Sequence, residues 1–172
     1  MTGSDLDIRR AVPADLGRIF EIYNVEVLNG VNTFDTEPRV LGKDDGWLLD
    51  RPERYPVLVG ELDGEIVGWS SLSQWSPRGA YARTAEVSVY VDGPRRGNGY
   101  GRELLAAVVE IAPELGAGTL LARIVEANPA SIGVHSSLGF QLIGTQRRAG
   151  EKLGQILDVA LMDLQLDEDE GA

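Results

Sequence analysis

The run Thr84-Ala85-Glu86-Val87-Ser88-Val89-Tyr90-Val91 sets a carboxylate in an alternating segment, with Val87, Val89 and Val91 on one face and Glu86, Ser88 and Tyr90 on the other. Such a carboxylate, when partly buried, is basic enough to take a proton from an ammonium directly or through water. Shortly after it comes Arg95-Arg96-Gly97-Asn98-Gly99-Tyr100-Gly101. A glycine turn between strand and helix frees backbone N–H groups, lets the main chain approach a ligand and aims a helix N-terminus at it, which suits an anionic diphosphate. Arg95, Arg96 and Arg102 add positive charge there. A Walker loop needs Gly-Lys-Ser/Thr, whereas the lysines stand at 43 and 152. A Rossmann fingerprint would place its glycines in the first strand–helix unit, not after a hairpin.

The remaining candidates are less specific. His135 is the sole histidine, and an imidazole can supply a proton near neutral pH. Arg78 and Arg83, with Tyr81 between them, precede the Glu86 strand, and a guanidinium there could hold a substrate carboxylate or phosphinate as a bidentate pair. Phe34 and Trp75 could wall an acceptor pocket. Each has a structural alternative that the residues leave open: Glu86 paired with an arginine such as Arg83, His135 packed in its helix, the arginines on the surface, the aromatics in a core. Zero cysteines and one histidine exclude disulfides, thiolate chemistry and the usual zinc ligand sets, so no metal is expected.

Elements must hold these groups in place. Asp7 to Arg10 reads as a short strand, and Pro13-Ala14-Asp15 starts a helix with Leu16, Ile19, Phe20, Tyr23 and Val27 on one stripe. Asn29 to Arg54 is irregular, with a short helix around Trp47-Leu48-Leu49, and is the place for substrate-facing variation. Asp63-Gly64 between the runs 55–62 and 65–69 predicts a hairpin. A helix follows from Arg102 to Ala112, then a buried strand from Thr119 to Val125, a short helix from Ala130 to Leu138 and a final strand from Leu157 to Leu166, joined by glycine-containing turns.

The 172 residues, 43% hydrophobic and 25% charged, fit one globular domain over 1–166 with a solvated acidic tail at 167–172. A formal charge of -11, from 16 basic against 27 acidic residues, argues against nucleic acid as a partner. The start MTGSDLDIRR lacks an apolar signal region, and no stretch approaches the roughly 18 apolar residues of a membrane span, so no membrane partner and a cytoplasmic location are expected.

Arg96-x-x-Gly99-x-Gly101 resembles the acyl-CoA pyrophosphate loop of the GNAT superfamily of N-acyltransferases, and its place between the Glu86 strand and an amphipathic helix matches that family. So does Asn128-Pro129-Ala130-Ser131-Ile132 through Leu138-Gly139-Phe140. Within the superfamily, Phe34 to Pro38, Arg54-Tyr55-Pro56, Trp75 to Tyr81, Thr84 to Val91 and His135 look like the phosphinothricin and methionine sulfone/sulfoximine acetyltransferases. Ile156 departs from the aromatic residue common in that group before Leu157-Asp158.

The resemblance implies an α/β domain with a mixed, mostly antiparallel sheet flanked by helices, and acetyl-CoA as acyl donor in a splay between the strands 84–91 and 119–125. It implies cofactor contacts from Val87, Val89 and Val91, from Arg96, Gly97, Asn98, Gly99, Tyr100, Gly101 and Arg102, and from Asn128 and Ser131. It makes Glu86 the general base, His135 the donor of a proton to the leaving thiolate, and Phe34, Trp75, Arg78, Tyr81 and Arg83 the acceptor contacts. A homodimer is implied as well. The expected partners are acetyl-CoA and a small-molecule amine, with an amino-acid analogue first. A polyamine, an aminoglycoside, a protein N-terminus, or a non-catalytic acyl-CoA module remain as alternatives.

Overall fold

Asp63 and Gly64 both take positive φ, 52° and 81°, the backbone that a two-residue hairpin requires. They join β2 (Val57–Leu62) to β3 (Glu65–Gln74), and β1 (Asp7–Arg10) adds to the far side of β2. The computed structural model describes residues 6–166, so the expected acidic tail lies outside the described residues. β4 (Thr84–Val91) pairs antiparallel with β3 and parallel with β5 (Thr119–Val125). β6 (Gln141–Lys152) and β7 (Gln155–Gln165) form a second hairpin that joins the sheet through β5 and β7. The order is β1-β2-β3-β4-β5-β7-β6, antiparallel except at β4–β5, which is the expected α/β architecture.

β6 carries no period-2 signal in sequence and was not expected. It is a mostly exposed edge strand, with irregular register at Leu142/Gly144 and Gln146/Gly150 and a positive φ at Arg148, so no face alternates long enough to be read.

The sheet is covered on both faces. α1 (Leu16–Asn29) lays Leu16, Ile19, Phe20, Tyr23 and Val27 against Val57, Val59 and Trp69. α3 (Tyr100–Ile111) packs on the other face, where Leu104, Leu105 and Val108 are fully buried among Leu58, Leu72 and Val87 and beside Val89 and Val91. Each such side chain contributes about 1.5–3 kcal/mol by leaving water. α2 (Gly46–Leu49) brings Trp47 onto the α1 side, and α4 (Pro129–Ser137) packs Ile132 and Val134 on the α3 side. The alternation of β4 therefore decides its roles: the valines anchor α3, while Glu86, Ser88 and Tyr90 face the other way. One member of the buried α1 stripe is a carboxylate, Glu26.

Candidate active site

β4 and β5 pair only through Thr84–Thr119, Ala85–Leu120 and Glu86–Leu121. Beyond Glu86 the two strands part, and a cleft of about 1040 Å³ opens between them, lined by Val87 to Val91 on one wall and Ala122 to Val125 on the other. The splay expected from resemblance is thus present.

At the far end of β4 lies the glycine loop. Gly97 and Gly99 take φ of 82° and 89°, and α3 begins at Tyr100, two residues earlier than the sequence pattern suggested. The N–H groups of Gly97, Asn98 and Gly99 have no acceptor among the described residues, and those of Tyr100 and Gly101 belong to the first helical turn, where no intrahelical acceptor exists. This fan of donors at a helix N-terminus fits a diphosphate, and the donor chemistry therefore suits coenzyme A. Asn98 folds back on the loop, donating to the Arg95 and Arg96 carbonyls at 3.0 and 3.3 Å.

Arg96 is already engaged. Its Nη2 donates to Glu26 Oε1 at 2.7 Å, and its Nε donates to the Val91 carbonyl at 3.1 Å. Glu26 also accepts from Asn32 Nδ2 at 3.0 Å, and Asn32 Oδ1 accepts from Asn128 Nδ2 at 3.0 Å, so a polar chain crosses the cleft mouth from the loop to α4. Asn128 caps α4 as well, its Oδ1 accepting from the Ser131 N–H at 3.1 Å. Buried Lys152 donates to the carbonyls of Glu26 and Thr33 at 3.1 and 2.8 Å, pinning the segment after α1 from the β6–β7 hairpin.

That segment forms a further wall of the cleft. Tyr23 donates to Asp35 at 2.6 Å, and Asp35 faces Arg39 at 3.6 Å. Arg39 in turn lies about 5 Å over both Tyr23 and Trp47. Phe34 lines the cleft and closes against Gly150, where an added Cβ would come within 2.5 Å of the ring.

Glu86 lines the cleft where the strands separate, its side chain 16% exposed. Its two oxygens accept from Arg123 Nε and Nη2, both at 2.7 Å. The Arg123 guanidinium also lies 5.4 Å over the Trp75 ring, and its pKa is raised by the Glu86 hydrogen bonds. The arginine partner of Glu86 is therefore Arg123 on β5, not Arg83. The sequence does carry a signal for Arg123, a lone charge within the otherwise apolar run Thr119–Val125.

His135 is buried, edge-on to Phe140, and lines the cleft. Nδ1 lies 2.8 Å from the Ser131 carbonyl, which assigns the proton of the neutral ring to Nδ1 and leaves Nε2 as an acceptor. Burial pushes its pKa below the ordinary 6.5, partly offset by that hydrogen bond.

The structure thus brings Phe34, Glu86, Val87, Val89, Val91, Arg96, Gly97, Gly99, Tyr100, Gly101, Arg102, Asn128, Ser131 and His135 around one cleft. Trp75 reaches it only through Arg123. Arg78 and Tyr81 sit in an exposed turn outside the lining, and the Arg83 carbonyl accepts from the N–H groups of Gly118 and Thr119. No three His, Asp or Glu side chains converge as a metal site among the described residues, and no described helix is long and apolar enough to cross a membrane.

Comparison with known proteins places this architecture. The family model described as acetyltransferase (GNAT) domain matches residues 8–161. An L-methionine sulfoximine/L-methionine sulfone acetyltransferase from Pseudomonas aeruginosa is 39% identical over 162 residues, covering 93% of this chain and 94% of the relative. A crystal structure of a GNAT superfamily phosphinothricin acetyltransferase from Sinorhizobium meliloti in complex with acetyl-CoA superposes with a TM-score of 0.86 at 35% identity, covering 94% of this chain and 88% of that one. A ribosomal-protein-alanine N-acetyltransferase from Brucella melitensis superposes with a TM-score of 0.90 at 38% identity, covering 94% and 100%. With the family model spanning nearly the whole described chain, this protein belongs to the GNAT acetyltransferases.

Proposed function

We propose that the protein acetylates the α-amine of a small amino-acid analogue of the methionine sulfone/sulfoximine or phosphinothricin type, with acetyl-CoA as donor and Glu86 as general base. The observation that carries this reading is the position of Glu86, on the cleft lining where β4 and β5 part. From there to Val91, beside the glycine loop, the strand runs roughly 17 Å, the order of an extended pantetheine arm.

An alkylammonium must lose a proton before its nitrogen can attack. Acetyl-CoA, when bound, supplies the thioester carbonyl. Glu86 takes the ammonium proton, the nitrogen bonds to the acetyl carbon, the carbon–sulfur bond breaks with the electron pair leaving on sulfur, and the second proton of the nitrogen passes to solvent as the amide forms. The fan of N–H groups from Gly97 to Gly101 would hold the diphosphate, and the outer wall of β4 would guide the arm. With no cysteine to carry an acyl group, transfer is direct. His135 gives its one N–H to Ser131, so solvent is the simpler source of the thiolate's proton.

Release of free CoA is the test, measured with methionine sulfone, phosphinothricin, spermidine, an aminoglycoside and an alanine-terminated peptide. Turnover concentrated in the first two acceptors is expected, and turnover confined to the others refutes the acceptor assignment. Glu86→Gln lowers kcat by about 10²–10⁴ while leaving acetyl-CoA binding by calorimetry intact, and undiminished kcat removes Glu86 as the base. We place the enzyme in the cytoplasm, where acetyl-CoA is available. We also propose a homodimer, supported by the family resemblance and by exposed Leu142 and Ile143 on the edge strand β6. Light scattering at a monomer mass would exclude it.

A further inference from the structure

The base assigned above is held by a cation. Arg123 grips Glu86 with two hydrogen bonds of 2.7 Å, the bidentate geometry by which a guanidinium binds any carboxylate. Its side chain is 54% exposed, lines the cleft and is steadied from one side by Trp75. The other arginines of the lining already have partners: Arg39 faces Asp35, Arg95 faces Glu65, Arg96 faces Glu26, and Arg102 donates to Ser137. Arg123 alone of these touches the residue that must meet the amine.

A simple amine approaching this pair must loosen Glu86 from Arg123 and would leave the guanidinium without an anion. A zwitterion brings its own replacement. The two charges of the pair are in contact, and the amine and carboxylate of an α-amino acid are separated by a single carbon, so one small molecule can satisfy both partners at once. We propose that Arg123 is a specificity-determining residue that selects acceptors carrying an anionic group beside the amine: the acceptor's carboxylate takes the place of Glu86 on the guanidinium, and its amine meets the released Glu86. The exchange conserves charge, one ion pair and one zwitterion becoming two ion pairs. It assigns to Arg123 the clamp that sequence had offered to Arg78 or Arg83, and it discriminates against polyamines and other acceptors without an α-carboxylate. This inference rests on the reading of Glu86 as base.

The experiment compares L-methionine sulfone with its carboxamide, in wild type, Arg123→Gln and Arg123→Lys, by CoA release and by calorimetric titration of L-methionine sulfone into the enzyme–CoA complex. Wild type prefers the acid over the carboxamide by about 10- to 100-fold in kcat/KM, the worth of a charge-assisted hydrogen-bonded pair. In Arg123→Gln that preference collapses and calorimetric affinity falls by a similar factor, because the rate with the acid falls far more than the rate with the carboxamide. Arg123→Lys, which keeps the charge without the fork, lies between. Equal losses with both acceptors in Arg123→Gln, or a wild type indifferent to the carboxylate, overturn the proposal. Undiminished Glu86→Gln with a collapsed preference in Arg123→Gln removes the base and keeps the clamp. If wild type releases CoA with neither acceptor, the functional reading fails, and the titration decides on Arg123: affinity lost in Arg123→Gln supports the clamp, unchanged affinity overturns it.

Discussion

Gly99 and Gly101 lie two residues apart in the loop and make opposite demands. Gly99 takes φ 89°, and a Cβ there would meet nothing nearer than Glu103 Oε1 at 4.0 Å, so an alanine has room but the wrong backbone. Left-handed geometry costs a non-glycine residue about 1–2 kcal/mol, offset by about 0.4–1 kcal/mol from a less flexible unfolded chain. Gly101 lies inside the first turn of α3 without positive φ, and its Cβ would touch Val91 Cγ2 at an ordinary 3.5 Å. Alanine there gains about 0.5–1 kcal/mol of helix preference. At about 2–4 °C per kcal/mol for a chain of this size, Gly99→Ala lowers Tm by a few degrees and Gly101→Ala raises it slightly. Calorimetric titration with acetyl-CoA separates strain from approach to the ligand. Gly99→Ala swings the N–H groups of 97–100 out of their common aim and weakens binding about tenfold or more, since roughly 1.4 kcal/mol lost is one decade. Gly101→Ala weakens binding only by crowding the diphosphate, with the fold intact. A Gly99→Ala protein with wild-type Tm and affinity would refute the argument that this loop needs its left-handed turn.

Lys152→Met leaves the buried Thr33 carbonyl without its donor and removes one of two donors to the Glu26 carbonyl, which keeps the Gly30 N–H. One unsatisfied buried carbonyl costs about 1–3 kcal/mol, read as a fall in urea midpoint at constant m-value. An unchanged midpoint shows that the Thr33 carbonyl has another partner. His135 is held neutral by burial, so its pKa is depressed in the folded state. Its contribution to stability is full above pH 6.5 and is lost as pH falls through the folded pKa, because the unfolded chain binds the proton first. Wild-type Tm therefore declines from pH 7 toward 5.5 more steeply than that of His135→Gln, and parallel profiles contradict the burial argument. With a single histidine, no other imidazole masks the comparison.

Much of the site was legible because its signals are local. The period-2 alternation of residues 84–91 separates Glu86 from the valines whatever the sheet order, the Asp63-Gly64 pair demands positive φ at both positions, and a glycine-rich turn before an amphipathic run exposes N–H groups in any fold. These features depend on backbone sterics within a few residues. The resemblance to GNAT enzymes rests on the same stretches, and the comparisons bear it out at the level of family and fold.

What tertiary structure alone decided are the pairings between distant segments. Arg123 meets Glu86 because α3 carries the chain across to lay β5 parallel to β4, in a register that puts position 123 just past the last paired residues. Buried Glu26 holds Arg96, a contact between α1 and the loop that no spacing encodes. The edge strand β6, irregular and exposed, becomes visible only through its partner β7, yet its last residue, Lys152, reaches back to pin the cleft-lining segment after α1. Sequence by itself determined which residues face the same way along one strand or helix, because that follows from local geometry. Which charged groups neutralise one another was settled by the packing of whole elements, since an ion pair depends on distance in space and not along the chain.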